Sequence, residues 1–294
     1  MIDFSIITIS FNQAQYLNTC LDSITSQRGA SFEYIVVDPG STDGSRAIIE
    51  KHDGRIDHVI TKKDRGPADG LNNGCGKAKG RYLMFINADD VLLPQALAKI
   101  TALLHTHSYP DLLLCGGWLV NAKGIPQRRL FSTRFSPVGL VNSRAALFQQ
   151  GMVFKRELFE QVGGFNRDNK TCWDYELLVD FIKSGARPVI STARIAAFRM
   201  HDESISSGFH GEAMEQQFQH DLKRIHDQFR PDDVYSPARH SGFFHRIEKY
   251  WRTPEIIPYV LSDKFLKHRI QSAWVKDTGS KDTGSKDTRA KTAL

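Results

Sequence analysis

The run Tyr34-Ile-Val-Val-Asp38 constrains the fold more than any other stretch of the chain. It is apolar without alternation, so a strand there is covered on both faces, as in a parallel sheet flanked by helices. Its neighbours agree. Residues 4–9 form a short β-branched run broken by Ser10-Phe11-Asn12, and Leu17, Leu21 and Ile24 then recur at the spacing of a buried helical stripe. Pro39-Gly-Ser-Thr-Asp-Gly44 is turn chemistry, with Thr42 or Asp43 suited to cap a helix carried by Ala47, Ile48 and Ile49. A strand at 58–61, a Gly- and Asn-rich helix around 68–77, a strand at 82–86 and a helix from about 94 to 105 complete the alternation. This order predicts an α/β domain with a largely parallel sheet. Such sheets bind ligands beyond the carboxyl ends of their strands, and both Asp38 and the cluster Asn87-Ala-Asp-Asp90 stand at such ends.

Beyond Leu112 the pattern is mixed. Strand-like pieces at 112–120, 152–154 and 195–198 alternate with helices near 157–162 and 175–184, and a helix around 211–229 closes the body. The expected organisation is a body over 1–230, a basic amphipathic helical extension over 231–275 and a tail over 276–294. That tail repeats Lys-Asp-Thr-Gly-Ser from Lys276 and Lys281, a core-less composition expected to be disordered. From Arg239 to Leu294 twelve Lys and Arg face six Asp and Glu, which accounts for the whole net charge of +6 and leaves the body neutral. Within the extension Phe243, Phe244, Ile247, Tyr250 and Trp251 fall at helical spacing, with Arg246, Lys249 and Arg252 between them. Such a stripe either lies on an anionic membrane surface or packs on the body. No nucleic-acid motif accompanies the charge.

Cys20, Cys75, Cys115 and Cys172 are far apart and form no C-x-x-C pair, which argues against a zinc site or a disulfide framework and for a reducing compartment. The N-terminus lacks a leader pattern, and no apolar run approaches the roughly 18 residues of a spanning helix. The expectation is a cytoplasmic protein, peripheral on the inner face of the membrane where the extension meets lipid.

Stock motifs fail. Gly74-Cys-Gly-Lys-Ala-Lys-Gly80 imitates a dinucleotide loop, but its third glycine is one place late and it precedes a strand. No phosphate loop, hydrolase elbow or EF-hand spacing occurs. What remains is the adjacent pair Asp89 and Asp90 directly after a buried strand, where like charges repel unless a cation or a salt partner compensates. Hard oxygen ligands suit Mg²⁺ or Mn²⁺; alternatively one carboxylate caps the next helix. Trp118 and Trp173 either stack on sugar rings or fill core, and Arg128 and Arg129 either bind phosphate or are solvated.

Taken in order, Ile6-Ile-Thr-Ile-Ser-Phe-Asn12, Val36-Val-Asp-Pro-Gly-Ser-Thr-Asp-Gly44, Asp69-Gly-Leu-Asn-Asn-Gly74 and Phe85-Ile-Asn-Ala-Asp-Asp90 resemble successive blocks of the family 2 glycosyltransferases. Gly163-Gly-Phe165, Trp173-Asp-Tyr-Glu-Leu177 and Arg199-Met-His201 extend the likeness. The resemblance implies a GT-A fold, a Rossmann-like mixed sheet with helices on both faces, here with a C-terminal helical extension. It implies an inverting, metal-dependent transfer from a nucleotide-sugar donor, UDP-linked, to a hydroxyl acceptor. The acceptor expected is a saccharide or lipid-linked saccharide of bacterial surface polysaccharide synthesis.

By position, Thr8, Ser10 and Asn12 would line the nucleotide pocket, with Ser41 and Asp69 among the donor contacts. Asp38 would hydrogen-bond the base and Asp43 would support it. Asn87-Ala-Asp89 stands at the family's D-x-D, so Asp89, Asp90 or both would hold Mn²⁺ or Mg²⁺. Asp174 matches the general base, and His201 a histidine near the diphosphate or metal. Three positions depart: Asn87 and Pro39 are commonly acidic, and Trp173 is frequently Glu. A non-catalytic nucleotide- or sugar-binding module is the rival reading. A sugar-1-phosphate nucleotidyltransferase ranks lower, because Ser10-Phe-Asn-Gln13 replaces the Gly-rich loop it would need.

Overall fold

The computed structural model describes residues 2–142, 145–202, 204, 211–230, 253–265 and 267–279. Strands β1 (Phe4–Ile9), β2 (Phe32–Val37), β3 (His58–Ile60) and β4 (Tyr82–Phe85) are the runs expected from the sequence. They pair in parallel in the order β3-β2-β1-β4. Strict alternation along them feeds two cores. Ile6, Tyr34 and Val36 face helices α1 (Ala14–Thr25) and α4 (Ala96–Thr106), while Ile7, Ile35 and Val37 face α3 (Pro67–Cys75). Leu17, Leu21 and Ile24 of α1 are fully buried, and each contributes roughly 1.5–3 kcal/mol. A short helix α2 (Ser45–Lys51) follows β2.

The second half of the sheet is mixed. β5 (Val91–Leu92) leads into α4, and β6 (Leu112–Asn121) and β7 (Pro126–Leu130) form a hairpin. After helix α5 (Pro137–Val141), β8 (Met152–Lys155) runs antiparallel to both β4 and β6 and so joins the two halves. Helices α6 (Arg156–Val162) and α7 (Trp173–Lys183) then precede β9 (Pro188–Met200), which pairs in parallel with β6 and antiparallel with β5. Three of these elements, β5, β7 and α5, have no counterpart in the sequence reading, and β9 begins seven residues before the expected 195. They are short or polar, as in Pro126-Gln-Arg-Arg-Leu130, and give no periodic signal.

Helix α8 (Gly211–Phe229) closes the body, and α9 (Ile257–Phe265) and α10 (Lys267–Thr278) lie across the back of β6, β7 and β9. Here Ile270 and Trp274 join Trp118, Val120 and Ala197 in a third core. The boundary expected at 276 is therefore corrected: α10 continues through Lys276-Asp-Thr278. Asp277 is the reason, because its Oδ2 accepts a hydrogen bond from Trp118 Nε1 at 2.8 Å while Arg194 pairs with the same carboxylate. The basic aromatic stretch at 243–252 and the tail from 280 onward lie outside the described residues. Among the described residues no helix is long and apolar enough to cross a membrane.

Candidate active site

A cleft of about 740 Å³ opens where the parallel strands end. The parallel half lines it with Ser10, Pro39, Asp64, Asn87 and Asp89, the mixed half with Leu119, Arg128 and Phe198, and the start of α7 with Asp174.

Ser10 follows β1 and is 2% exposed, and its Oγ has no partner among the described residues. Asp38 follows β2 and is buried. Its Oδ1 accepts from the amides of Gly40 and Ser41 at 3.0 and 2.7 Å, and Oδ2 has no partner among the described residues. Asn12 sits at φ 54° and clasps the next loop: its amide donates to Ser41 Oγ, and its Oδ1 accepts from the Thr42 amide, both at 2.9 Å. Asp43 Oδ2 accepts from the Ala14 amide at 2.8 Å and Oδ1 from Ser45. Burial works to raise this carboxyl, but those hydrogen bonds outweigh it and hold it below the usual range. Asp43 thus closes the first turn of α1, where an orphan N–H needs an acceptor. Asp69, on the first turn of α3, pairs with Arg167 at 2.7 Å, which lowers its carboxyl.

Thr8 is corrected by the structure. It is even-numbered on β1, points to the α1 side and accepts from Tyr34 Oη at 2.9 Å, fully buried and away from the cleft. Asn12, Asp38, Ser41, Asp43, Asp69, Asp90 and His201 do not line the cleft either; they lie in or behind the segments that shape it.

The carboxylate pair divides. Asp89 reaches the cleft, and its Oδ2 accepts a hydrogen bond from His201 Nε2 at 3.0 Å. The His201 ring lies 4.7 Å from that of Tyr16. Asp90 is 1% exposed and turned inward: Oδ1 accepts from the Arg199 amide at 2.8 Å and Oδ2 from Gln150 Nε2 at 2.7 Å. Burial first and the neighbouring Asp89 second push its carboxyl well above the ordinary range. Both oxygens accept hydrogen bonds from the protein, and Asp89 is the member of the pair that reaches the cleft. Arg199 completes the clamp, donating from Nε to the Asp89 carbonyl at 2.9 Å and from Nη1 to that of Ala122 at 3.1 Å.

Asp174 occupies the first turn of α7 at the edge of the cleft. Burial raises its carboxyl to about 6, against hydrogen bonds from the Tyr175 amide and its own. The start of α7 is fixed from below by Glu176, which takes Arg224 on both oxygens at 2.6 and 2.8 Å and Asn169 Nδ2 at 2.7 Å. Cleft residues missed in the sequence are Asp64, Gln149 and Gln150. Burial, with Asp69 and Asp38 nearby, raises the Asp64 carboxyl; its one sequence signal is a carboxylate two residues before the Gly66-Pro67 helix start.

The residues at Asp89 suit a divalent cation in part. Asp89 and His201 supply a carboxylate and an imidazole, and Asn87 Oδ1 is buried with no partner among the described residues. No set of three or more His, Cys, Asp or Glu converges among the described residues. Phosphate oxygens and water would have to complete the shell, which is how Mg²⁺ and Mn²⁺ are commonly held beside substrate phosphates.

The sequence profile of glycosyl transferase family 2 matches residues 5–162. The chain belongs to glycosyl transferase family 2. Among its relatives, the poly(ribitol-phosphate) β-N-acetylglucosaminyltransferase TarS of Staphylococcus aureus is 30% identical over 149 residues, 49% of this chain and 26% of TarS. The PGL/p-HBAD biosynthesis glycosyltransferase of Mycobacterium tuberculosis is 31% identical over 185 residues, 59% of this chain and 68% of that protein. The matched region is thus about a quarter of TarS and about two thirds of the mycobacterial enzyme. Residues 1–349 of TarS in complex with UDP superpose with a TM-score of 0.59 at 17% identity, over 95% of this chain and 79% of that one. The mannosyltransferase PcManGT of Pyrobaculum calidifontis, in complex with GDP-Man and Mn²⁺, gives 0.58 at 18% identity, over 95% and 76%. These likenesses show the GT-A fold expected of this family 2 member.

Proposed function

We propose that this family 2 protein transfers a sugar from a nucleotide donor, UDP-linked, to a hydroxyl acceptor with inversion at the anomeric carbon. The observation that carries the reading is the shared cleft of Asp89 and Asp174, two carboxylates far apart in sequence that line one pocket. Ser10 lines the cleft, and its Oγ, without a partner among the described residues, supplies a polar atom on the nucleotide side. Asp89 and His201 would hold Mn²⁺ or Mg²⁺, whose charge would offset that of the leaving diphosphate. Asp174 takes the proton of the attacking hydroxyl, and its raised carboxyl makes it a stronger base while still ionised at neutral pH.

The test is UDP release from a panel of UDP-sugars with Mn²⁺, followed by proton NMR of the product's anomeric configuration. Inverted product from wild type supports the reading; no release with any donor from folded protein favours the binding module. The acceptor we propose is a saccharide or lipid-linked saccharide, met at an anionic membrane surface through the stretch at 243–252. Neutralising Arg246, Lys249 and Arg252 tests that contact by liposome co-sedimentation and leaves the docked helices α9 and α10 intact. Unchanged binding rejects it.

A further inference from the structure

Residues alternate between two faces along β6, β7 and β9. On the back face Trp118 stands in register with Arg129 and Ala197, under the C-terminal helices. On the front face Leu119 stands in register with Arg128 of β7 and Phe198 of β9, and all three line the cleft. Behind this row Phe148 lies over Gly117, so closely that a Cβ on that glycine would come within 2.2 Å of the ring. The front face is therefore an apolar shelf that ends in one guanidinium.

The two adjacent arginines have opposite fates. The Arg129 amide donates to Asp263 Oδ2 at 2.7 Å, and its guanidinium pairs with the same carboxylate and lies 5.2 Å from the Trp118 ring. With the Trp118–Asp277 bond, these contacts pin the strands from behind. Arg128 is exposed to the cleft, and among the described residues no carboxylate or hydrogen-bond acceptor engages its side chain. A fixed strand thus presents a guanidinium that has no partner among the described residues, the group best shaped to take a phosphate through paired N–H donors. Asp89 leads into β5, and β9 and β6 lie between β5 and the β7 strand of Arg128. Strands pair at about 4.8 Å, so Arg128 stands well beyond the span of a diphosphate bound at Asp89 and meets a different anion.

We propose that Arg128, Leu119 and Phe198 form the acceptor subsite, and that the acceptor carries a phosphate next to the group whose hydroxyl attacks. The phosphate sits on Arg128, and the apolar part of the acceptor sits on Leu119 and Phe198. The assignment rests on the transferase reading and gives it a substrate class. The source that fits this chemistry is a sugar phosphate on a lipid, whose chain would run along the shelf.

Calorimetric titration of n-hexyl phosphate, methyl phosphate and n-hexyl glucoside into protein saturated with UDP and Mn²⁺ tests this. The wild type is expected to prefer hexyl phosphate to hexyl glucoside by roughly 10- to 100-fold, the range of a hydrogen-bonded charge pair. Arg128→Gln should abolish that preference and leave glucoside and UDP affinity unchanged. Arg128→Lys should recover it in part. Hexyl phosphate is expected to bind more tightly than methyl phosphate, and equal binding of the two removes Leu119 and Phe198 from the subsite. No preference for phosphate in the wild type, a preference that survives in Arg128→Gln, or weakened UDP binding in that variant each overturns the assignment. A wild type that takes hexyl phosphate but no UDP defeats the transferase reading and the acceptor role together, while the phosphate affinity of Arg128 is still measured.

Discussion

Asp89 and His201 lie 112 positions apart and meet side chain to side chain at 3.0 Å. The contact forms because β5 pairs with β9, which brings the end of β9 back over the loop after β4. Asp89→Asn or His201→Ala removes one side of the pair. Each is expected to lower the transfer rate on the order of 10²-fold and to raise the Mn²⁺ concentration needed for half-maximal rate. A metal titration of initial rates reads both. Unaltered Mn²⁺ dependence in both variants would remove this pair from the metal site.

Asp90 should behave differently. Asp90→Ala leaves the Arg199 amide and Gln150 Nε2 without acceptors, at about 1–3 kcal/mol for each buried group. Urea denaturation is expected to show the loss, while the folded variant keeps the Mn²⁺ dependence of the wild type. A stable variant that had lost that dependence would return Asp90 to the metal site.

The transfer rate should rise with pH through about 6, where Asp174 gives up its proton, and then level off. The same shift affects stability. The folded-state value lies above the roughly 3.9 of an unfolded aspartate, so ionisation favours unfolding and stability falls as pH rises between the two. Asp174→Asn is therefore expected to melt higher than wild type at pH 7, with the difference vanishing below about pH 4. Equal melting temperatures at pH 7 would contradict the raised carboxyl of Asp174.

At the back of the sheet, Asp277→Ala removes the acceptor of Trp118 Nε1 and the partner of Arg194. The expected loss is about 2–3 kcal/mol, with a change in tryptophan fluorescence. A loss below the error of urea denaturation would show that the last turn of α10 contributes nothing.

The parallel half was legible in the sequence because its strands are buried on both faces and read as unbroken apolar runs. Asp38 and Asp89 are placed at strand ends by their neighbours alone, while Asp174 is singled out only by the family resemblance. What the sequence could not show was direction. Thr8 and Ser10 are two residues apart near the end of one strand, yet Thr8 packs on Tyr34 while Ser10 opens on the cleft. Asp89 and Asp90 are adjacent, and only the return of β9 decides which of them reaches solvent. The docking of Asp277 was hidden for another reason. A polar repeat carries no periodicity, and its two partners, Trp118 and Arg194, lie 159 and 83 positions away.

The most direct test of the central claim uses one sample of Asp174→Asn. Its melting-temperature rise with UDP and Mn²⁺ is compared with its UDP-sugar turnover. A ligand that binds only the folded state stabilises it by about 2.7 kcal/mol at 100 times its Kd, a readable shift. The account predicts that the rise with UDP and Mn²⁺ is kept, while turnover falls on the order of 10²–10⁴-fold. Turnover at the wild-type rate, or loss of the UDP response together with turnover in a folded sample, would contradict it.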